Sequence, residues 1–177
     1  MKEHVYRISK EKVIAQSIFI WLIVATHLIA NCFAIPKFLG SGQYWAILFI
    51  NIVFGVITIP SVYIFFNYIK YSANKDFVVT YNSLKLIDRK KNVATEIISP
   101  EIERIELHQN LYPYSALLNL SPRSDQEYFC FIDKKGSKII VTSYIMDITE
   151  FWTDSLTRRV NSDKLIKYER FLPLINE

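Results

Sequence analysis

Two long stretches without a single Lys, Arg, Asp or Glu dominate the first seventy residues. Residues 13–35 read VIAQSIFIWLIVATHLIANCFAI, and residues 44–69 read YWAILFINIVFGVITIPSVYIFFNYI. At about 1.5 Å per helical residue these runs reach roughly 34 and 39 Å, more than the roughly 30 Å of a bilayer's hydrocarbon core. Between them residues 36–43, PKFLGSGQ, carry the breakers Pro36, Gly40 and Gly42. The pattern predicts two transmembrane helices, 13–35 and 44–69, joined by a tight external turn into an antiparallel hairpin. A cleaved signal peptide is the first competing reading. Its apolar region is shorter, however, and no second span follows it at once. A buried hairpin of a soluble protein is the other, and two helices apolar all round would need a larger shell than the remaining chain supplies.

Charge sets the expected orientation. The N-terminal tail, residues 1–12, carries Lys2, Arg7, Lys10 and Lys12 against Glu3 and Glu11. The turn has only Lys37, while Lys70 and Lys75 follow the second run. An excess of Lys and Arg marks the cytoplasmic side, so both termini are expected in the cytoplasm and the short turn outside. Trp45, Tyr44, Trp21, Tyr63, Tyr68 and Tyr71 include interfacial anchors. Trp21 stands somewhat inside its span, where a protein neighbour is the other reading.

Gln16, His27, Asn31 and Asn51 are candidate interhelical polar contacts within the spans. His27 and Asn31 stand four residues apart, on one helix face, within reach of Asn51 across the hairpin. Packing is the simpler reading; a transport path would need these groups to face a common lumen. Neither span holds an Asp or Glu, which disfavours a proton relay. Pro60 is expected to kink the second helix.

After the spans the composition changes to that of a soluble domain, residues 74–160. Sixteen basic and fifteen acidic residues lie from Lys70 onward, so the net charge of +4 belongs mainly to the membrane flanks. A nucleic-acid-binding domain would carry a larger positive excess. Residues 77–81, 84–89 and 93–98 read as a three-strand meander. Ser99, Pro100 and Glu101 suit one helical turn, and 103–109 reads as a fourth strand with Glu103, Arg104, Glu106 and His108 outward. Residues 114–120 suit a short strand. Residues 128–132 and 137–142 form a hairpin turning at Asp133–Gly136, where Gly tolerates positive φ. Residues 147–160 read as a helix with Ile148, Phe151, Trp152, Leu156 and Val160 on one face. The tail, 161–177, is apolar enough to pack on the domain, a partner or the membrane.

This order of elements resembles the pleckstrin-homology-like fold. The double span, FVVTYNSLKLIDRKKNVATEIISPEIERIELHQN, the hairpin YFCFIDKKGSKIIV and the helix beginning ITEFW together resemble small bacterial membrane-anchored PH-like proteins. The resemblance implies a two-helix transmembrane hairpin in a bacterial inner membrane plus a mainly β PH-like domain, about seven antiparallel strands capped by one C-terminal α-helix. Fold alone does not carry function over.

Catalytic signatures are missing from the sequence: no Gly-rich phosphate loop, no HExxH and no GxSxG. Cys32 and Cys130 stand far apart and read as small buried hydrophobes. Glu101, Glu103 and Glu106 suggest paired carboxylates, though a wet strand face is the plainer reading. No enzyme activity, cofactor or metal is expected. Two basic clusters stand out: Arg89, Lys90 and Lys91 in one turn, and Lys134, Lys135 and Lys138 in another. They read either as solvated hairpin tips or as contacts to anionic headgroups. The expected function is a membrane-tethered interaction or scaffold protein that binds a protein partner or self-assembles at the inner leaflet. The alternative is an accessory subunit for lipid handling or membrane transport.

Overall fold

A computed structural model describes residues 3–110, 127–146, 164–170 and 173–175. Helix α1 runs from Lys10 to Gly40 and helix α2 from Tyr44 to Ser72. Ser9 caps α1, its side chain accepting from the Lys12 N–H at 3.3 Å. The same cap is tied to the soluble domain: the Ser9 N–H donates to the Tyr144 carbonyl at 2.8 Å, and Lys12 Nζ to the Ser143 carbonyl at 3.2 Å.

The connection between the helices is shorter than residues 36–43. Pro36 lies inside α1, and the chain reverses over Ser41–Gln43, where Gly42 takes φ +72°. Proline removes only its own N–H from the ladder. Ending the helix there would leave several further backbone groups without their helical partners. Both helices are long and apolar enough to cross a membrane. From Trp21 to Gly40 and from Tyr44 to Tyr63 they expose most of their large apolar side chains, including Phe33 and Trp45. One face of the remaining ends is covered by protein, with Ile20, Ile64, Phe65, Tyr68 and Ser72 buried, while Ile14, Ile18 and Phe66 stay exposed.

Among the described residues eight strands form two four-stranded sheets. The first has the order β1 (His4–Tyr6), β2 (Lys75–Val79), β3 (Ser83–Asp88) and β4 (Val93–Ile98), all antiparallel. A 3-10 turn at Ser99–Glu101 then leads into β5 (Ile102–Asn110). The second sheet has the order β7 (Lys138–Thr142), β6 (Tyr128–Asp133), β5 and β8 (Leu165–Arg170). β8 runs parallel to β5, so this sheet is mixed rather than wholly antiparallel. The sheets therefore draw on chain outside 74–160, at both the N-terminus and the tail. The expected strand at 114–120 and helix at 147–160 lie outside the described residues.

Period-two alternation sorts the side chains. Phe77, Val79, Leu84, Leu86 and Ile97 of the first sheet meet Ile105, Leu107, Phe129, Phe131, Ile139 and Val141 of the second in one core. Phe77 stacks on Phe131 with ring centroids 6.0 Å apart. The other face of β6 carries Tyr128, Cys130 and Ile132, which join Ile20, Ile64, Phe65 and Tyr68 of the helices in a second cluster. All six residues of β6 are buried, because this strand separates the two cores.

Candidate functional site

Four elements meet where α2 leaves its apolar stretch: the last turns of α2, the start of β2, the β3–β4 hairpin tip and the start of β7. Between them lie two adjoining hollows of about 500 and 430 Å³ that share Tyr71, Lys75, Asp88 and Lys91. Lys70 and Lys90 line the first and Lys138 the second. Among the described residues the lining sets five lysines against one aspartate.

Its walls are held by local structure. Asp88 Oδ1 accepts from the backbone N–H groups of Lys90 and Lys91, each at 3.0 Å, and Asn92 turns the chain with φ 53°. Those backbone hydrogen bonds, the Lys91 one foremost, hold the Asp88 carboxyl below its usual value against the opposing effect of burial. The tight turn aims Lys90 and Lys91 from one tip. Lys75 is buried, with Nζ 3.1 Å from the centroid of the Tyr71 ring, a cation–π contact. The Tyr71 hydroxyl in turn donates to the Ile140 carbonyl at 3.2 Å.

The six basic residues nominated from sequence separate. Lys90, Lys91 and Lys138 line the cleft. Arg89 reaches Asp76 at 3.4 Å, which Arg7 approaches at 3.3 Å from the other side. Lys135 pairs with Glu101 at 3.7 Å, and Lys134 belongs to neither hollow. Sequence reasoning missed Lys70, Tyr71 and Lys75, treating the lysines as topology signals only. Their close spacing at the mouth of the second apolar run was the available clue.

Within the apolar stretch the structure brings His27, Asn31 and Asn51 together. Asn51 Nδ2 donates to Asn31 Oδ1 at 2.9 Å and to the Ile47 carbonyl at 2.9 Å. Its Oδ1 faces His27 Nε2 at 3.0 Å; an amide oxygen only accepts, so Nε2 carries the proton. Asn31 Nδ2 donates to the His27 carbonyl at 3.0 Å, and the imidazole stacks on Phe54 with centroids 5.0 Å apart. The three side chains satisfy one another across the seam. Gln16 stands about three turns away on α1. Its Oε1 is buried and without a hydrogen-bond partner among the described residues.

The outer face of β5 carries Arg104, Glu106 and His108 in a row. His108 is buried, not water-facing: β6 places Tyr128 and β8 places Tyr168 opposite it, with ring centroids 4.5 and 5.0 Å away. The addition of β8 beside β5 covers a face that alternation alone marks as wet. Glu106 receives Arg104 Nε at 2.9 Å and lies 3.1 Å from His108 Nε2. Burial pushes the Glu106 carboxyl upward, but the hydrogen bonds from Arg104 and His108 outweigh it and hold it below the usual glutamate value. A depressed carboxylate stabilises the fold fully above about pH 4.5 and loses that contribution as pH falls through the folded-state value. Glu106→Gln is therefore expected to shrink the drop in thermal midpoint between pH 5 and pH 3. Identical pH profiles for the two proteins would contradict this.

Glu101, Glu103 and Glu106 do not converge: Glu101 turns to Lys135, while Glu103 and Glu106 both approach Arg104. Burial pushes the Cys130 thiol up to about 11, which keeps it protonated and unreactive at neutral pH. Among the described residues no three His, Cys, Asp or Glu side chains gather as a metal site requires. Comparison with protein-family models, curated proteins and solved structures gives no match to the chain.

Proposed function

We propose that this protein is a membrane-anchored interaction module. It holds a PH-like domain in fixed orientation on the cytoplasmic face of a bacterial inner membrane, where it binds a protein partner or a second copy of itself. The role is one of binding, not catalysis. The observation that carries this reading is the second apolar cluster, in which the bases of both helices and the outer face of the second sheet share one core. A merely tethered domain would hang from a loose linker. Here only Ala73 and Asn74 separate α2 from β2, and Ser72 Oγ lies 2.7 Å from Thr142 Oγ1.

The order of strands supports the PH-like reading: an antiparallel β2-β3-β4 meander, then β5-β6-β7, packed face to face on one core. The exposed apolar lengths support the anchor. Residues 21–40 and 44–63 are twenty each, about 30 Å as helix and equal to a hydrocarbon core. Exposed Trp21 and Tyr63 stand toward the domain end of the hairpin and exposed Tyr44 and Trp45 at its turn, which suits two interfacial belts. Transport by the chain itself is less favoured, because His27, Asn31 and Asn51 close on one another rather than on a lumen.

Strand β4 is an edge of its sheet and exposes Val93 and Ile98. Photo-crosslinkers at these two positions, in cells, are expected to give a reproducible adduct of one mass, a dimer or a complex with one partner. Adducts absent from both positions, together with a monomer in mild detergent, would overturn the interaction reading.

A further inference from the structure

We infer that the five-lysine cleft at the base of α2 holds the phosphate of an anionic phospholipid headgroup. The inference rests on the bilayer placement proposed above. If Tyr63 marks the edge of the hydrocarbon, Asn67 lies about 6 Å and Lys70 about 10 Å beyond it along α2. The headgroup layer of one leaflet occupies about 5–8 Å outside the hydrocarbon, so the Asn67 end of the cleft lies within that layer and Lys70 stands at its outer edge, within a side chain's reach of lipid phosphates.

Charge and shape agree with that occupant. Lys70, Lys75, Lys90, Lys91 and Lys138 converge from four separate elements on hollows of about 500 and 430 Å³, a size suited to a headgroup. Lys75 is the fixed cation, buried against the Tyr71 ring with Nζ 3.1 Å from its centroid. Lys90, Lys91 and Lys138 are exposed along the lining. Ammonium groups donate charge-assisted hydrogen bonds to phosphate oxygens without demanding one geometry, which suits a mobile lipid. Asp88, the one carboxylate among the described lining residues, already accepts two backbone N–H groups and holds the hairpin tip in place.

The test uses the full chain in mild detergent, with lipid retention read by native mass spectrometry. Phosphatidylglycerol is expected to be retained at least tenfold over phosphatidylcholine. The variant Lys90→Gln/Lys91→Gln/Lys138→Gln alters only exposed side chains and is expected to lose about tenfold or more of that retention. Lys134→Gln/Lys135→Gln, outside the cleft, is expected to keep it. Glycerol phosphate is the soluble arm. Competition by it at the affinity of the lipid would assign the cleft to a free phosphate and overturn the lipid assignment, as would equal retention by all three proteins. Alkaline extraction of membranes separates the two premises. A chain that stays in the pellet without lipid preference refutes the cleft alone, whereas a chain that is extracted refutes the anchor.

Discussion

Replacing Tyr68 by alanine is expected to destabilise the protein by about 3–5 kcal/mol, the range for removing a large aromatic side chain from a packed interior. Tyr68 is fully buried at the junction of hairpin and domain. Its ring makes edge contacts with Tyr128 and Tyr144 at 6.1 and 6.0 Å, and its hydroxyl donates to the Pro173 carbonyl at 2.8 Å. Truncation empties the centre of the second apolar cluster and releases the tail strap that Asn67 also holds. That residue exchanges two hydrogen bonds with the Ile175 backbone, at 3.2 and 3.0 Å. Tyr68→Phe removes one hydrogen bond and leaves the packing, so about 1 kcal/mol is expected. Thermal unfolding in detergent measures both, and hydrogen exchange at Leu174 and Ile175 reports the strap. Equal stability of the two variants would mean that the junction is loosely packed and that the fixed orientation proposed for the domain is wrong.

Asn51→Leu is expected to weaken the hairpin by about 1–3 kcal/mol. The substitution keeps the apolar length of α2 but removes the residue that bridges both polar partners on α1. Interhelical hydrogen bonds in lipid contribute about 1–2 kcal/mol in model peptides and less in double-mutant cycles. His27 Nε2 and Asn31 Oδ1 would also lose the partner they share. Because the three residues form one network, His27→Ala combined with Asn51→Leu is expected to cost less than the sum of the single changes. Unfolding by titration with a denaturing detergent measures all three. Strict additivity would show that the groups act independently.

Much of the fold was legible because its signals are local. The absence of charge over 13–35 and 44–69 marks both helices. Alternation and turn residues locate β3 and β4, and Gly136, with φ +84°, turns the β6–β7 hairpin. Strand β1 was missed because three residues, His4–Tyr6, are too few to show a period. Strand β8 was missed because Leu165–Arg170 reads as half polar; it is held by pairing with β5, a partner about sixty residues away. The candidate site was half legible. Lys90, Lys91 and Lys138 stood out as basic turns, but nothing local distinguishes them from Arg89 and Lys135, whose charges are taken up by Asp76 and Glu101.

The sequence by itself determined that two apolar helices precede a β-rich domain, because helix and strand periods, breakers and unbroken apolar runs act over a few neighbouring residues. It also placed His27, Asn31 and Asn51 where two antiparallel helices must bring them near each other. Only the tertiary structure decided which helical residues are exposed and which join the protein core, since Ile64, Tyr68 and Ser72 are as helical as the residues before them and differ only in what covers them. It likewise decided which lysines share a cleft. Charges from α2, β2, the β3–β4 tip and β7 meet through the packing of two sheets on one helix, a long-range arrangement that no window of sequence contains.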